Sequence, residues 1–377
     1  MSEWKECKLG DELELFYGKG LKESEREEGE YPVYGSNGIV GYHNNYLVKA
    51  PGIIIGRKGS VGELKFSIKD FFPIDTTYYV NLKHDNDIRF FYYFLLTLQL
   101  NEMNSHSAVP GLNRNDVYSI DVSIPPLPEQ KAIASVLSSL DDKIDLLHRQ
   151  NKTLEAMAET LFRQWFIEAK PQPSPNLSQR ERNKIIEDES WEVKPLDEIA
   201  NYLNGLACQK YPPQNDVDKL PVLKIKELRS GFSENSDWAT SNVPDEYIIE
   251  SGDVIFSWSG SLMVEIWHGE KCVLNQHLFK VTSDNYPKWF YYFWTKHHLD
   301  EFISIADSKS TTMGHIKRKD LSNSEVIIPD DIAFNKMDEV INPLLDKFMV
   351  NNNQIRTLEK LRDTLLPKLM SGEVRVK

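Results

Sequence analysis

Side chains that can read nucleic-acid bases are gathered in a few polar loops of this 377-residue chain. Arginine and lysine can pair with guanine, asparagine and glutamine with adenine, and hydroxyl and ammonium groups with phosphates. Taken singly, each loop is also typical of a turn, a solvated face or a structural polar cluster. The candidate contact residues are Arg57, Lys58, Ser60, Asn113 and Arg114 in the first half of the chain, and Asn275, Gln276, Lys309, Ser310, Thr311, Thr312, Lys317 and Arg318 in the second.

Motifs that carry catalysis in other protein classes are missing from the sequence. The glycine-rich stretch GRKGSVG at 56–62 lacks the lysine–serine ending of a phosphate-binding loop, so a turn between strands is the simpler interpretation. There is no HExxH motif, no paired-cysteine cluster, no G-x-S-x-G elbow and no Asn/Asp-Pro-Pro-Tyr/Phe tetrapeptide. We therefore expect no catalytic residues, no metal site and no cofactor in this chain.

Composition favours an ordinary globular protein of two or three domains. The net charge of −13 argues against a generally basic nucleic-acid coat but leaves room for local basic patches. Three widely separated cysteines, Cys7, Cys208 and Cys272, indicate reduced, buried thiols. No apolar run approaches the roughly 20 residues of a membrane span, and no signal peptide is evident, so we predict a soluble cytoplasmic protein.

The sequence repeats itself. Residues 90–94, FFYYF, match 289–293, WFYYF, at an offset of 199, and the Gly-Ser pair at 59–60 matches 260–261 at an offset of 201. Thr-Leu-Glu at 153–155 recurs at 357–359, an offset of 204. Because the order of the matches is kept while the offset drifts slightly, we infer two copies of about 190 residues whose loops differ in length.

Each copy ends in a long helix with a heptad pattern. Prolines at 125, 126 and 128 precede the first helix, and Asn151 and Asn351 interrupt the two apolar seams, a device that fixes register. Pro343 should kink the second helix or delay its start. The seam residues are Ile133, Leu137, Leu140, Ile144, Leu147, Leu154 and Leu161 in the first helix, and Ile341, Leu344, Phe348, Ile355, Leu358 and Leu365 in the second.

Two equivalent seams in one chain favour pairing inside the molecule over oligomerisation. We predict an antiparallel coiled coil that joins two mixed α/β (α+β) heads and places them at its opposite ends. The 32 steps from Ile133 to Trp165 correspond to roughly 48 Å of helix.

Three segments of the sequence closely resemble the specificity subunit of type I restriction-modification systems. They are PPLPEQK at 125–131, SLDDKIDLLHRQNKTLEAMAETLFRQWF at 139–166, and LRDTLLPKLMSGEVRV at 361–376. The resemblance implies two target-recognition domains, each reading one half of a bipartite double-stranded DNA sequence. It also implies two modification subunits that bind S-adenosylmethionine and methylate adenine, and restriction subunits that use ATP and Mg²⁺.

On this interpretation the chain divides into five parts. They are a first target-recognition domain at 1–126, a central spacer helix at 127–170, a linker at 171–187, a second target-recognition domain at 188–330, and a C-terminal spacer helix and tail at 331–377. Asp-Asp-Ile-Ala at 330–333, where the first copy has Pro-Leu-Pro-Glu, leaves the second helix boundary open. Acidic residues crowd 11–30 and 232–253, whereas 308–319 is basic, so we expect polarised heads that bind DNA weakly until partner subunits are present.

Two other functions stay open at the level of sequence. A two-headed scaffold could bind polypeptides instead of DNA, and its affinity would then lack the steep salt dependence of phosphate contacts. A stand-alone DNA-modifying enzyme would act on DNA without partner subunits.

Overall fold

The computed structural model describes residues 4–103, 111–168, 191–308 and 314–376. Contacts divide the chain into two compact units, Met1–Ile144 with Leu358–Lys377, and Asp145–Thr357. Two long helices, α4 (Leu127–Phe162) and α10 (Asp331–Met370), each contribute residues to both units. The remaining elements form one head in each unit.

The first head comprises nine strands and three short helices. Its strands are β1 (Lys5–Lys8), β2 (Leu13–Tyr17), β3 (Tyr31–Gly35), β4 (Gly38–His43), β5 (Gly52–Gly56), β6 (Leu64–Ser67), β7 (Phe72–Pro73), β8 (Thr77–Leu82) and β9 (Asp121–Ile124). Its helices are α1 (Leu9–Glu12), α2 (Ile88–Leu96) and α3 (Arg114–Tyr118).

The second head follows the same plan with additions. Its strands are β10 (Glu192–Pro195), β11 (Asn201–Asn204), β12 (Lys219–Leu223), β13 (Trp238–Thr240), β14 (Ile248–Ile249), β15 (Val254–Ser257), β16 (Met263–Ile266), β17 (Cys272–Leu274), β18 (Leu278–Thr282) and β19 (Glu325–Ile328). Its helices are α5 (Leu196–Ile199), α6 (Ile225–Ser230), α7 (Lys288–His297), α8 (Leu299–Ser308) and α9 (Arg318–Ser322).

Strand order confirms the internal repeat. The antiparallel pair β1–β9 corresponds to β10–β19, and the four-stranded sheet β2-β8-β5-β6 corresponds to β11-β18-β15-β16. The third sheet, β4-β3-β7, corresponds to β13-β12-β17-β14, and both contain one parallel pair, β3 with β7 and β12 with β17. The expected α/β (α+β) fold of two pseudo-repeated heads with two long helices is therefore confirmed.

The matched aromatic segments are buried helices. Phe90 and Phe91 of α2 are fully buried in the first head, as are Trp289 and Phe290 of α7 in the second. Asp87 caps α2 by accepting a hydrogen bond from the backbone N–H of Phe90 at 2.8 Å. Buried aromatic rings contribute large apolar areas, so these helices centre the two main cores.

Segments of α4 and α10 pair antiparallel within each unit. In the first unit, Arg362 Nη1 donates to Asp141 Oδ1 at 2.9 Å, and Leu369 shares a core with Ile133. In the second unit, Asn151 Nδ2 donates to Asn352 Oδ1 at 2.7 Å. All the seam residues named from the sequence are buried or partly buried. The helix α10 starts at Asp331 and continues through Pro343, so the expectation of a late start is wrong.

The asparagines that interrupt the seams bond to each other. Asn351 Nδ2 donates to Asn151 Oδ1 at 2.9 Å, and both side chains are buried. The neighbouring Asn352 completes the network. Asn351 Oδ1 is buried without a hydrogen-bond partner among the described residues. A buried amide pair is satisfied in one alignment of the helices, which is how such residues fix register.

Within the described ranges no helix combines the length and apolarity needed to cross a membrane.

Candidate nucleic-acid interface

Loops from distant parts of the first head meet at one place. The backbone N–H groups of Arg57 and Lys58 both donate to Thr76 O, at 2.9 and 3.1 Å. Leu112 N donates to Arg57 O at 3.0 Å. The loops at 57–60, 74–76 and 111–114 are therefore joined by backbone hydrogen bonds, and the candidates Arg57, Lys58 and Arg114 come together.

Two arginines lie against one exposed tyrosine at this junction. The guanidinium carbons of Arg57 and Arg114 are 5.2 and 5.4 Å from the ring centre of Tyr17, whose side chain is 52% exposed. Arg57 Nη2 also donates to Asp75 O at 2.5 Å, and Arg114 Nη1 donates to Leu15 O at 3.4 Å. Because a guanidinium has five N–H donors, both arginines keep donors for a ligand.

The ring of Tyr78 supports the arginine cluster from below the surface. Its hydroxyl donates to Leu112 O at 3.2 Å, and its ring lies 5.0 Å from that of Tyr17. Burial raises the pKa of Tyr78 to about 12, so the phenol stays neutral at physiological pH. Tyr78 therefore holds the exposed Tyr17 and the loop at 111–114 in position.

The other candidates in the first head have different surroundings. Asn113 caps α3, because its side-chain oxygen accepts from Asn115 N at 2.9 Å. Ser60 is partly buried and Lys58 is exposed. The hydroxyl oxygen of Ser36 lies 3.3 Å from the place that a Cβ on Gly59 would occupy, and Gly59 has a φ of +79°. The turn at 35–38 therefore borders the same surface.

The second head repeats this backbone frame. Ile316 N donates to Trp258 O at 3.2 Å, as Leu112 N does to Arg57 O. Arg318 Nη2 donates to Tyr202 O at 3.2 Å, which corresponds to Arg114 and Leu15.

Further backbone bonds agree. Gly205 N donates to Leu278 O at 3.0 Å, as Gly18 N does to Thr77 O at 3.1 Å. The loops carrying candidates from the sequence thus also converge in the second head.

The side chains on the shared frame differ between the heads. Trp258 takes the position of Arg57, Asn204 that of Tyr17, and Phe279 that of Tyr78. Trp258 Nε1 donates to Asn204 Oδ1 at 3.0 Å, and its ring lies 6.2 Å from that of His277. Arg318, which corresponds to Arg114, lies 5.9 Å from the ring centre of Phe279. One frame therefore presents two different sets of hydrogen-bonding groups.

Placement of the remaining candidates in the second head is mixed. Asn275 is only 6% exposed, and its side-chain oxygen accepts from His277 N at 3.4 Å. Gln276 is partly buried, whereas Lys317 is exposed and its backbone N–H is capped by Asp320. The candidates Lys309, Ser310, Thr311 and Thr312 lie outside the described residues.

Sequence reasoning missed the aromatic members of both clusters. Tyr17 ends β2, and its type and spacing carry no signal of a contact with Arg57 or Arg114. Trp258 could have been found, because it lies 201 positions after Arg57, at the offset of the matched glycine–serine pairs.

Among the described residues, no group of three or more His, Cys, Asp or Glu side chains could hold a metal ion. The fold and the two clusters define a class, a tandem-repeat recognition protein with one ligand-reading surface in each head. A family model described as the type I restriction modification DNA specificity domain matches residues 1–156 and again 188–361. The chain belongs to this family and is a specificity subunit of a type I restriction-modification system, a non-catalytic component that needs no cofactor of its own.

Individual relatives agree with this assignment. The chain is 29% identical over 300 residues to the type I restriction enzyme MjaIX specificity subunit of Methanocaldococcus jannaschii, covering 76% of this chain and 69% of that protein. It is 24% identical to the MjaVIII specificity subunit of the same organism, covering 100% and 94%. The crystal structure of the S subunit from M. genitalium superposes with a TM-score of 0.64 at 16% identity, covering 97% of this chain and 96% of that one, and so shares the fold.

Proposed function

We propose that each head reads one half of a bipartite double-stranded DNA target. The functional boundaries are those expected from the sequence, 1–126 and 188–330 for the heads. The observation that supports the proposal is the repeated loop frame, which carries arginine and tyrosine in the first head and tryptophan and asparagine in the second. A common frame with different donors and acceptors suits two half-sites of different sequence.

The first head has donors suited to guanine. Arg57 and Arg114 can donate to guanine O6 and N7, and the nearby exposed carboxylate of Asp75 can accept from cytosine N4. Lys58 and Ser60 are placed to bind phosphates, which orient the duplex without reading it.

The second head offers another set of groups. Arg318 is again a donor for guanine, whereas Asn204 and Gln276 can pair with adenine. Lys317, with Lys309, Ser310, Thr311 and Thr312 from the adjoining segment, supplies phosphate contacts in this proposal.

The long helices serve the partner subunits. Segments 127–170 and 331–377 set the spacing between the half-sites and dock two modification subunits, which supply S-adenosylmethionine and methylate adenine. Restriction subunits bring ATP and Mg²⁺ and cleave unmodified DNA in the cytoplasm. The two copies of the helix support this model, since a repeated surface can bind two copies of one partner.

Footprinting of the chain with its modification subunits tests the proposal. We expect protection of two short tracts that flank an indifferent spacer, at the positions where adenines are methylated in the host genome. Protection of one contiguous tract would contradict two independent heads. Methylation by the purified chain alone would contradict a non-catalytic subunit.

A further inference from the structure

The two heads differ in how they join equivalent strands beside the reading surface. In the first head, Ser36 and Asn37 form a tight turn between β3 and β4. In the second, residues 224–237 connect β12 to β13 and contain helix α6.

Both connections leave from the same point of the frame. Tyr34 O accepts from Ile74 N at 2.9 Å, and Leu223 O accepts from Asn275 N at 3.2 Å. The helix α6 therefore occupies the position of the short turn and begins one residue after a strand bonded to Asn275.

The helix borders the loop that corresponds to 57–60. Ile225 Cδ1 lies 3.5 Å from the place that a Cβ on Gly260 would occupy, as Ser36 lies beside Gly59. The connection is thus continuous with the surface formed by Trp258 and Asn204.

One face of α6 is anchored in the head. Leu228 is buried in a cluster with Trp267 and Leu274, against which Ile225 also packs. Glu227 is buried, and its Oε1 accepts from Ser236 Oγ at 3.1 Å. These contacts hold the short helix in one orientation.

The opposite face is basic and exposed. Lys226, Arg229 and Ser230 are all exposed, and their spacing of three and four residues puts them on one side of the helix. Of the acids in the connection, Asp237 forms an ion pair with Lys224, and Glu234 is exposed in the returning loop. The cations stand just ahead of the acidic run at 232–253, where neither lysine nor arginine occurs.

We propose that α6 is a DNA-contacting element of the second head, in which Lys226 and Arg229 bind backbone phosphates beside the second half-site. This inference rests on the proposed function. Charge complementarity and continuity with the reading surface favour the phosphate backbone over a protein partner. Because such contacts release counterions, they add to the salt dependence of binding.

The test uses the full chain with its modification subunits and a duplex that carries the methylated site mapped in the host genome. We expect the double variant K226A/R229A to bind more weakly and to lower the slope of log affinity against log salt concentration by about 2 in magnitude. The charge-preserving variant K226R/R229K should keep the slope. A matched control is K336A/K347A, which removes two exposed lysines of α10 in the same unit.

The possible failures are distinguishable. If the unaltered complex does not bind the duplex, the proposed function is wrong. If it binds and K226A/R229A has the same slope, or loses slope no more than the α10 control does, α6 does not contact phosphates. If K226A/R229A keeps its DNA slope but fails to assemble with modification subunits, α6 is a protein-docking surface. Unchanged thermal unfolding of the variant would show that the helix still folds.

Discussion

Arg57 and Arg114 are far apart in the sequence, yet both guanidinium groups lie against the ring of Tyr17. Stacking on an aromatic face restricts an arginine without using all its N–H donors. The corresponding position in the second head has Arg318, held by Tyr202 O. The two arginines at the starts of α3 and α9 are therefore the residues that the heads share.

Loss of either shared arginine should affect one half-site. We expect Arg114→Ala to weaken DNA binding by about 1–3 kcal/mol and to relax base preference in the first half-site. Arg318→Ala should do the same in the second half-site alone. Methylation maps of cells expressing each variant measure the preference. Relaxation of both half-sites by one variant would contradict the assignment.

The cysteines have pKa values that disfavour reactivity. Burial raises the pKa of Cys272 and Cys208, and burial together with Glu12 raises that of Cys7 to about 11. The sequence-based prediction of buried thiols is confirmed for Cys208 and Cys272, whereas Cys7 is only partly buried.

Alkylation should therefore be slow in the folded chain. A thiolate is the reactive form, and all three groups stay protonated near neutral pH. We expect iodoacetamide to modify Cys7 first as pH rises toward 11, and Cys208 and Cys272 only after unfolding in urea. Mass spectrometry of tryptic peptides checks the order. Rapid labelling of Cys272 in the native protein would contradict its burial.

At the scale of elements, the pairing of α4 with α10 depends on a polar network in an apolar seam. Asn151, Asn351 and Asn352 bond across the two helices, and their burial makes each bond costly to lose. Leucine at these positions would bury more apolar surface but would no longer distinguish one register from another.

Single and triple replacements of the asparagines should therefore differ. We expect Asn151→Ala to lower the free energy of unfolding by about 1–3 kcal/mol, because it leaves two buried amides without partners. The triple variant N151L/N351L/N352L should recover stability in urea denaturation. If helix register sets the half-site spacing, it should also accept more than one spacer length, measured with duplexes of varied spacer. A triple variant as unstable as the single one would contradict a role in register.

At the scale of the whole molecule, two copies of one fold carry different reading groups. Each head has its own sheets and its own core, so its loops are positioned without help from the other head. The copies can then diverge independently in the bases that they read.

A head exchange tests this independence. We expect a chimaera in which residues 188–330 come from another specificity subunit to keep the first half-site and acquire the donor's second half-site. Genome-wide mapping of methylated adenine gives both halves in one measurement. The reciprocal exchange of residues 1–126 serves as the matched control. A change in both half-sites from a single exchange would contradict separate reading by the heads.

The sequence by itself determined the repeat, the long helices and the family, because apolar periodicity and repeated motifs are local patterns that survive without coordinates. It also identified Asn151 and Asn351 as a special pair, since both break a regular seam. Only the tertiary structure decided which loops meet, because backbone bonds such as Leu112 to Arg57 join residues far apart in the chain. Tyr17, Trp258 and α6 emerged at that stage, since contact with a distant loop leaves no mark on the spacing of neighbouring residues.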